Sequence, residues 1–232
     1  MLIKGLQPLS LIDYPGRLSA IIFLFGCNFR CPFCHNPGLV DASRENLREV
    51  SESEVLAFLD KRKGKLEGVV VTGGEPCLNN DLPELLHEIK QRGFLVKLDS
   101  NGTNPEMLKQ LAASGLVDYF AMDVKAPLEK YGQVVNASVD TGKIRESIDF
   151  IKASGIEHEF RTTVVPTLLN EDDLLEMGKL IEGAGAYYLQ QFEPGKTLDP
   201  EMQKAQQYAR EFFTHAVEKL KPFAKKVEVR GL

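Results

Sequence analysis

Nowhere in these 232 residues is there an apolar run long enough to cross a bilayer, which takes about 20 residues. The opening, Met1-Leu-Ile-Lys-Gly-Leu-Gln-Pro8, lacks the apolar core of a signal peptide. A cytosolic, reducing setting is therefore expected, with no membrane partner. Basic residues are not in excess: 28 Lys and Arg stand against 33 Asp and Glu, for a net charge of -5 and a pI near 5.5. That balance argues against nucleic acid as the main partner, since a phosphate-binding surface is basic. Cysteine is scarce, four in all. Three of them are clustered, which is not the layout of a secreted disulfide framework. His87, His158 and His215 show no metal-ligand spacing. Low-complexity segments and interdomain linkers are missing too, so a single domain over residues 1–232 is expected. The hydrophobic share of 43% is enough for a sizeable core.

What is present is concentrated in one stretch, Gly26-Cys27-Asn28-Phe29-Arg30-Cys31-Pro32-Phe33-Cys34-His35-Asn36-Pro37. The cysteines are spaced C-x3-C-x2-C. A short β-branched and aromatic run, Ser19 to Phe25, leads into them and reads as a buried strand. Thiolates this close on one loop can converge on a small inorganic core, as an iron–sulfur cluster requires. Three thiolates on a four-iron cluster leave one iron open to a small molecule. Structural zinc competes, but it takes four ligands in two pairs, and the remaining cysteine, Cys77, stands alone. His35 beside Cys34 is a poor fourth ligand, because neighbouring residues seldom both face one metal. The plainer alternative is three ordinary buried cysteines. Cys77 reads as a small packed residue.

Strand and helix alternate along the rest. Ser51-Glu-Ser-Glu54 is a capping-box pattern ahead of Val55, Leu56, Phe58 and Leu59. Buried strands are expected at Val69–Val71, Phe94–Leu98, Leu116–Met122, His158–Val165 and Tyr187–Leu189, with an edge strand at Val227–Val229. The helices between them carry Leu82, Leu85, Leu86 and Ile89, then Ile144, Ile148 and Ile151, then Leu174, Leu175 and Leu180. A last helix is expected from about Pro200 to Leu220. Three helices hand over through similar junctions, Arg92-Gly93-Phe94, Ser114-Gly115-Leu116 and Ser154-Gly155-Ile156. Six βα units give an open doubly wound sheet or part of a barrel.

The strand ends carry the unusual residues: Thr72-Gly73-Gly74-Glu75-Pro76, Asp99-Ser100-Asn101-Gly102, Asp123-Val124-Lys125 and Gln190-Gln191-Phe192. Taken singly, each reads as readily as a turn or a cap. Paired glycines allow close backbone approach to a ligand, and Glu75 can accept from an ammonium group. Asp99 and Asp123, at neighbouring strand ends, could share a cation. Arg161 points either at this end of the strands or at an acidic neighbour.

Cys27-x3-Cys31-x2-Cys34 with Phe33 resembles the radical S-adenosylmethionine (SAM) signature. The following His35-Asn36-Pro37 and the preceding Ser10-Leu-Ile-Asp-Tyr-Pro-Gly16 are similar to the glycyl-radical-enzyme activases. The pattern is nearest to those serving anaerobic ribonucleoside-triphosphate reductase. The similarity covers most of the chain and weakens after about Pro200. It implies a partial (β/α)6 barrel of the radical SAM type, with parallel strands and outer helices, open on one side. A large macromolecular substrate could dock there.

The same resemblance implies a [4Fe–4S] cluster on Cys27, Cys31 and Cys34, with SAM as the second cofactor. Its SAM contacts map to Phe33, His35, Asn36, Gly73, Gly74, Glu75, Asp99, Ser100, Asp123, Val124 and Lys125. Gly73-Gly74-Glu75 would hold the amino group. A monovalent cation is implied at Asp99, Ser100 and Asp123. Some relatives contact SAM through a sixth-strand histidine; here Gln191 or Phe192 takes its place. The implied activity is reductive cleavage of SAM to a 5′-deoxyadenosyl radical, which makes a glycyl radical on a partner enzyme. Flavodoxin or ferredoxin would donate the electron. Alternatives are a pyruvate formate-lyase-type target, a small-molecule or peptide substrate, and a non-catalytic metal-binding module.

The ligand assignment predicts about four irons per reconstituted chain, the content of a [4Fe–4S] centre. Iron analysis should find the cluster lost in Cys31→Ala and kept in Cys77→Ala. Its loss in Cys77→Ala would overturn the assignment.

Overall fold

Strand and helix alternate as the periodicity predicts, with one more strand at the start. The computed structural model describes residues 1–43 and 47–232. Two units divide the chain. One holds Met1–Asn28, Gly38–Ser100 and Glu106–Phe120; the other holds Phe29–Pro37, Asn101–Pro105 and Ala121–Leu232.

The first unit contains β1 (Ile3–Ser10) and β2 (Ser19–Leu24); α1 (Pro37–Val40) leads back into it from the cysteine loop. Then come α2 (Glu52–Asp60), β3 (Gly68–Gly73), α3 (Leu82–Gln91), β4 (Leu95–Ser100), α4 (Pro105–Ala113) and the start of β5 (Tyr119–Asp123). β1 runs antiparallel to β2, whereas β2, β3 and β4 are parallel. Pro8 argues against a strand at β1, because proline cannot donate to a ladder. β1 is an edge strand, and Pro8 falls in its register break between Gln7 and Ser10, outside the paired positions. Along β2 to β4 both faces are buried, which explains the unbroken apolar runs. Ile21 and Val70 pack with Tyr14 and Tyr119 on one face. Ala20, Ile22, Val69, Val71, Val96 and Leu98 alternate onto the other. The helices bring buried stripes of their own: Val55 and Leu59, then Leu82, Leu85, Leu86 and Ile89, then Leu108 and Leu111. Each such side chain contributes about 1.5–3 kcal/mol.

The second unit completes β5 and adds α5 (Tyr131–Val135), α6 (Thr141–Ala153), β6 (Glu157–Val164), α7 (Glu171–Leu180), β7 (Tyr187–Gln191), α8 (Arg210–Leu220) and β8 (Val227–Arg230). β6, β7 and β8 are parallel, with Phe160 opposite Tyr187 and Tyr187 opposite Val227. Ile144, Ile148 and Ile151 of α6, Leu174 and Met177 of α7, and Phe213, Ala216 and Leu220 of α8 are buried. One expectation fails here. Pro200 to Leu220 is not one helix: a 3-10 turn spans Pro200–Lys204, Ala205 and Ala209 are extended, and α8 begins only at Arg210. Contacts from elsewhere in the chain hold this stretch instead. The Gln191 side chain donates to the Tyr208 carbonyl at 2.8 Å, and the Gln207 side chain to the Phe192 carbonyl at 2.8 Å.

Helix starts and stops follow the local code. The Ser51 hydroxyl accepts from Glu54 N–H, and the Glu54 carboxylate accepts from Ser51 N–H. Asn170 and Asp173 make the same box at α7. The junction glycines Gly93, Gly115 and Gly155 all have left-handed backbone, at φ of 85°, 64° and 75°. Replacing Ser51 with Ala should cost about 1 kcal/mol. Thermal unfolding should then shift down by roughly 2–4 °C.

Candidate radical SAM site

In the first unit the site residues sit at three strand ends. Gly74 N–H donates to the Leu24 carbonyl at 2.9 Å, and Glu75 N–H to the Gly26 carbonyl at 2.7 Å. The turn after β3 therefore lies against the backbone that leads into Cys27. A Cβ on Gly74 would stand 2.1 Å from the Gly26 oxygen, and one on Gly73 would stand 2.2 Å from the Leu24 oxygen. Gly73 also has φ of 131°. The glycine pair is thus required by the chain's own close approach, not only by a ligand's. Glu75 is 1% exposed, and its Oε1 accepts from Cys77 N–H and from the Ser100 hydroxyl, each at 2.9 Å. Ser100 spends that hydroxyl on Glu75. Asp99 takes the Lys97 ammonium at 2.5 Å, and Lys97 is buried in β4 beside the Tyr119 ring. Cys77 is buried, and burial first, then the nearby Glu75 charge, push its thiol up. It is a packed residue, as expected.

In the second unit the cysteine loop is held from behind by α5. Arg30 N–H donates to the Val135 carbonyl at 2.9 Å, and Phe29 packs on Tyr131 with ring centroids 6.1 Å apart. Tyr131 was not singled out in the sequence. It is fully buried, and its hydroxyl meets Lys125 N–H at 3.2 Å. The Lys125 ammonium lies 3.0 Å from Asp123 Oδ2 and 6.0 Å above the Phe33 ring. Arg161 Nε donates to Asp123 Oδ1 at 2.9 Å, so Arg161 takes an acidic neighbour. Burial alone would raise the Asp123 carboxyl, but Arg161 and then Lys125 outweigh it and hold the group well below the usual range. Burial alone would lower Lys125, yet Asp123 and then Cys31 hold it protonated. Val124 is fixed by its backbone: its N–H donates to the Arg161 carbonyl at 2.9 Å.

The charged face continues along β6 to β8. Glu159, 1% exposed, is gripped by both Arg230 terminal nitrogens at 3.1 and 3.0 Å, and Arg230 lies 3.5 Å over the Tyr188 ring. Alternation puts Gln190 on this face with Tyr188, whereas Gln191 shares the buried face of Tyr187 and Leu189. The Gln191 amide nitrogen is taken by Tyr208, and its Oε1 is buried without a partner. Gln190, not Gln191, is therefore the sixth-strand glutamine on the charged face. Phe192 is fully buried and His35 and Asn36 are exposed.

The donor set fits an iron–sulfur cluster. None of Cys27, Cys31 and Cys34 is joined in a disulfide. Cys31 and the Lys125 ammonium interact electrostatically, and the thiolate is the form in which cysteine binds metal. Among the described residues no three His, Cys, Asp or Glu side chains gather as around a single metal ion. A four-iron core offers each thiolate its own iron, so its ligands need not share one point.

The family model of the radical SAM superfamily matches residues 21–181. The chain belongs to that superfamily. It is a radical SAM enzyme, and the family's cofactors are a [4Fe–4S] cluster and SAM. A protein of Methanocaldococcus jannaschii, provisionally named a glycyl-radical enzyme activating enzyme, is 38% identical over 88% of this chain and 85% of its own. A pyruvate formate-lyase-activating enzyme of Clostridium pasteurianum is 26% identical over 78% of this chain and 76% of its own. Among solved structures, Streptococcus suis SuiB bound to SAM superposes with a TM-score of 0.68 at 13% identity. The match covers 91% of this chain and about half, 52%, of that one. It shows the fold alone: the partial βα barrel of the radical SAM type. Among the described residues no helix is long and apolar enough to cross a membrane.

The Asp123 pairing has a pH signature. Its carboxyl is depressed in the folded state, so the stabilisation is complete above the ordinary aspartate value of about 3.9. It is lost as pH falls through the lower folded value. Arg161→Gln removes the largest attraction. We expect a loss of about 1.5–3 kcal/mol at pH 7, shrinking as pH drops below about 4. Urea unfolding at both pH values checks this.

Proposed function

We propose that this enzyme activates a glycyl radical enzyme, with anaerobic ribonucleoside-triphosphate reductase as the partner. The observation that carries the activase reading is the 38% identity, spread over 88% of the chain, to a relative named for glycyl-radical activation. The motif beyond the cysteines, His35-Asn36-Pro37, agrees with it. When bound, the cluster and SAM supply a 5′-deoxyadenosyl radical that takes a Cα hydrogen from a glycine of the partner. Cys27, Cys31 and Cys34 would hold the cluster.

The chain's residues bind and orient. Gly73, Gly74 and Glu75 would receive the SAM amino group, with Glu75 kept buried by Cys77 N–H and the Ser100 hydroxyl. Asp123, Val124 and Lys125 would contact SAM as well, and Lys125 can meet a carboxylate. Phe33, His35 and Asn36 stay among the proposed SAM contacts, and Gln190 replaces Gln191. A monovalent cation at Asp99, Ser100 and Asp123 finds less call for its charge. Asp99 has Lys97, and Asp123 has Arg161 and Lys125. Flavodoxin or ferredoxin would supply the electron.

A pyruvate formate-lyase-type partner is the second reading, favoured by the Clostridium relative. Reduced enzyme, SAM and each candidate partner should be mixed and read by EPR. A glycyl-radical doublet on the reductase is the expected result, with deuterium from its glycine Cα found in 5′-deoxyadenosine. A doublet only on the lyase would move the assignment to that partner. Unlabelled deoxyadenosine with no doublet on either would move it to a small-molecule or peptide substrate.

A further inference from the structure

The segment after β7 does not leave the site. Phe192, fully buried, stacks on the His35 ring with centroids 5.8 Å apart and planes 16° from parallel. His35 Nε2 lies 2.9 Å from the Glu193 carbonyl. The next four residues, Glu193 to Lys196, are exposed. The chain then returns to the same loop. Leu198 N–H donates to the Cys34 carbonyl at 3.0 Å, and Asp199 N–H to the Pro32 carbonyl at 2.9 Å. Both ends of the returning segment are themselves tied down. The Gln207 side chain holds the Phe192 carbonyl at 2.8 Å, and the buried Thr197 hydroxyl donates to the Asp199 carbonyl at 2.7 Å.

From this geometry we infer that Phe192–Asp199 is a strap that positions the Cys31–Cys34 segment for cluster binding and retains the cluster once bound. The strap grips the loop at three successive stations, Pro32, Cys34 and His35. Two of those grips are backbone carbonyls, so they hold the loop through its main chain. Carbonyls fixed in this way restrict the dihedrals that aim the Cβ–Sγ bonds of Cys31 and Cys34. A loop already shaped loses less conformational entropy when it binds its ligand. Every contact named is made by protein atoms. Its residues position the metal ligands and touch no reacting atom.

Hydrogen exchange on cluster-free protein tests the first half. The Leu198 and Asp199 amides should exchange at least about ten-fold more slowly than those of Gly195 and Lys196. Equal rates would overturn the strap. Cluster loss to an iron chelator, followed by visible absorbance, tests the second half. Leu198→Pro deletes one grip, and Leu198→Ala keeps it. Loss should be about ten-fold faster in Leu198→Pro, a factor of the order of one hydrogen bond, and unchanged in Leu198→Ala. Should Leu198→Pro fail to fold, Phe192→Leu decides: it removes the His35 stack and should also speed the loss. Wild-type retention in either folded variant would overturn the inference.

Discussion

A single carboxylate and the turn that carries it fasten three strand ends in the first unit. The amides of Gly74 and Glu75 bind the carbonyls of Leu24 and Gly26, which ties the end of β3 to the exit of β2. Glu75 then collects the Ser100 hydroxyl from the end of β4. Backbone-to-backbone contact this close leaves no room for a side chain, so two glycines are obligatory. Cys27 begins where that joint ends. The direction in which the chain enters the cysteine loop is therefore set by hydrogen bonds between strand ends, before any cofactor is considered.

The second unit solves a different problem. It gathers several partly buried charges around the buried Glu159 on one face, and a charge withdrawn from water is expensive unless partnered. Asp123 is shared by Arg161 and Lys125, and Glu159 is clasped by Arg230. Such pairs are weak sources of net stability, but they are exacting about geometry. The Glu159–Arg230 pair reaches from β6 to β8 across Tyr188, which gives the short final strand an anchor its few apolar residues do not supply. Lys125 links this network to the cysteine loop, because its ammonium serves Asp123 and lies in the field of Cys31. Charge placement and cluster chemistry meet at that residue.

A radical SAM fold does not by itself name a substrate, since one fold hosts many reactions. The loops carry this chain's own features: the HNP sequence after the cysteines, the Gln190-Gln191 pair at the end of β7, and the segment that returns over Pro32 to His35. The last of these is built entirely from contacts between distant residues and has no signature in composition or periodicity.

The sequence by itself determined whatever is encoded within a few residues. The Ser51–Glu54 box, the left-handed glycines at 93, 115 and 155, and the six βα units all follow from local rules. The cysteine spacing and its flanking motif likewise identified the family. Tertiary structure decided what depends on partners far along the chain. Pro8 stands in a strand because β1 lies at an edge. Residues 205–209 lie outside any helix although local propensity allows one; there Gln191 takes the Tyr208 carbonyl and the Phe192 carbonyl takes the Gln207 side chain. Gln190 and Gln191 are identical in composition, and only the register of β7 against β6 tells which one meets the charged face. Asp99 and Asp123 read alike as strand-end carboxylates. Asp99's lysine is two residues away and Asp123 adds an arginine 38 residues on. Pairing at that distance is a property of the packed sheet, because nothing local records which strands lie side by side.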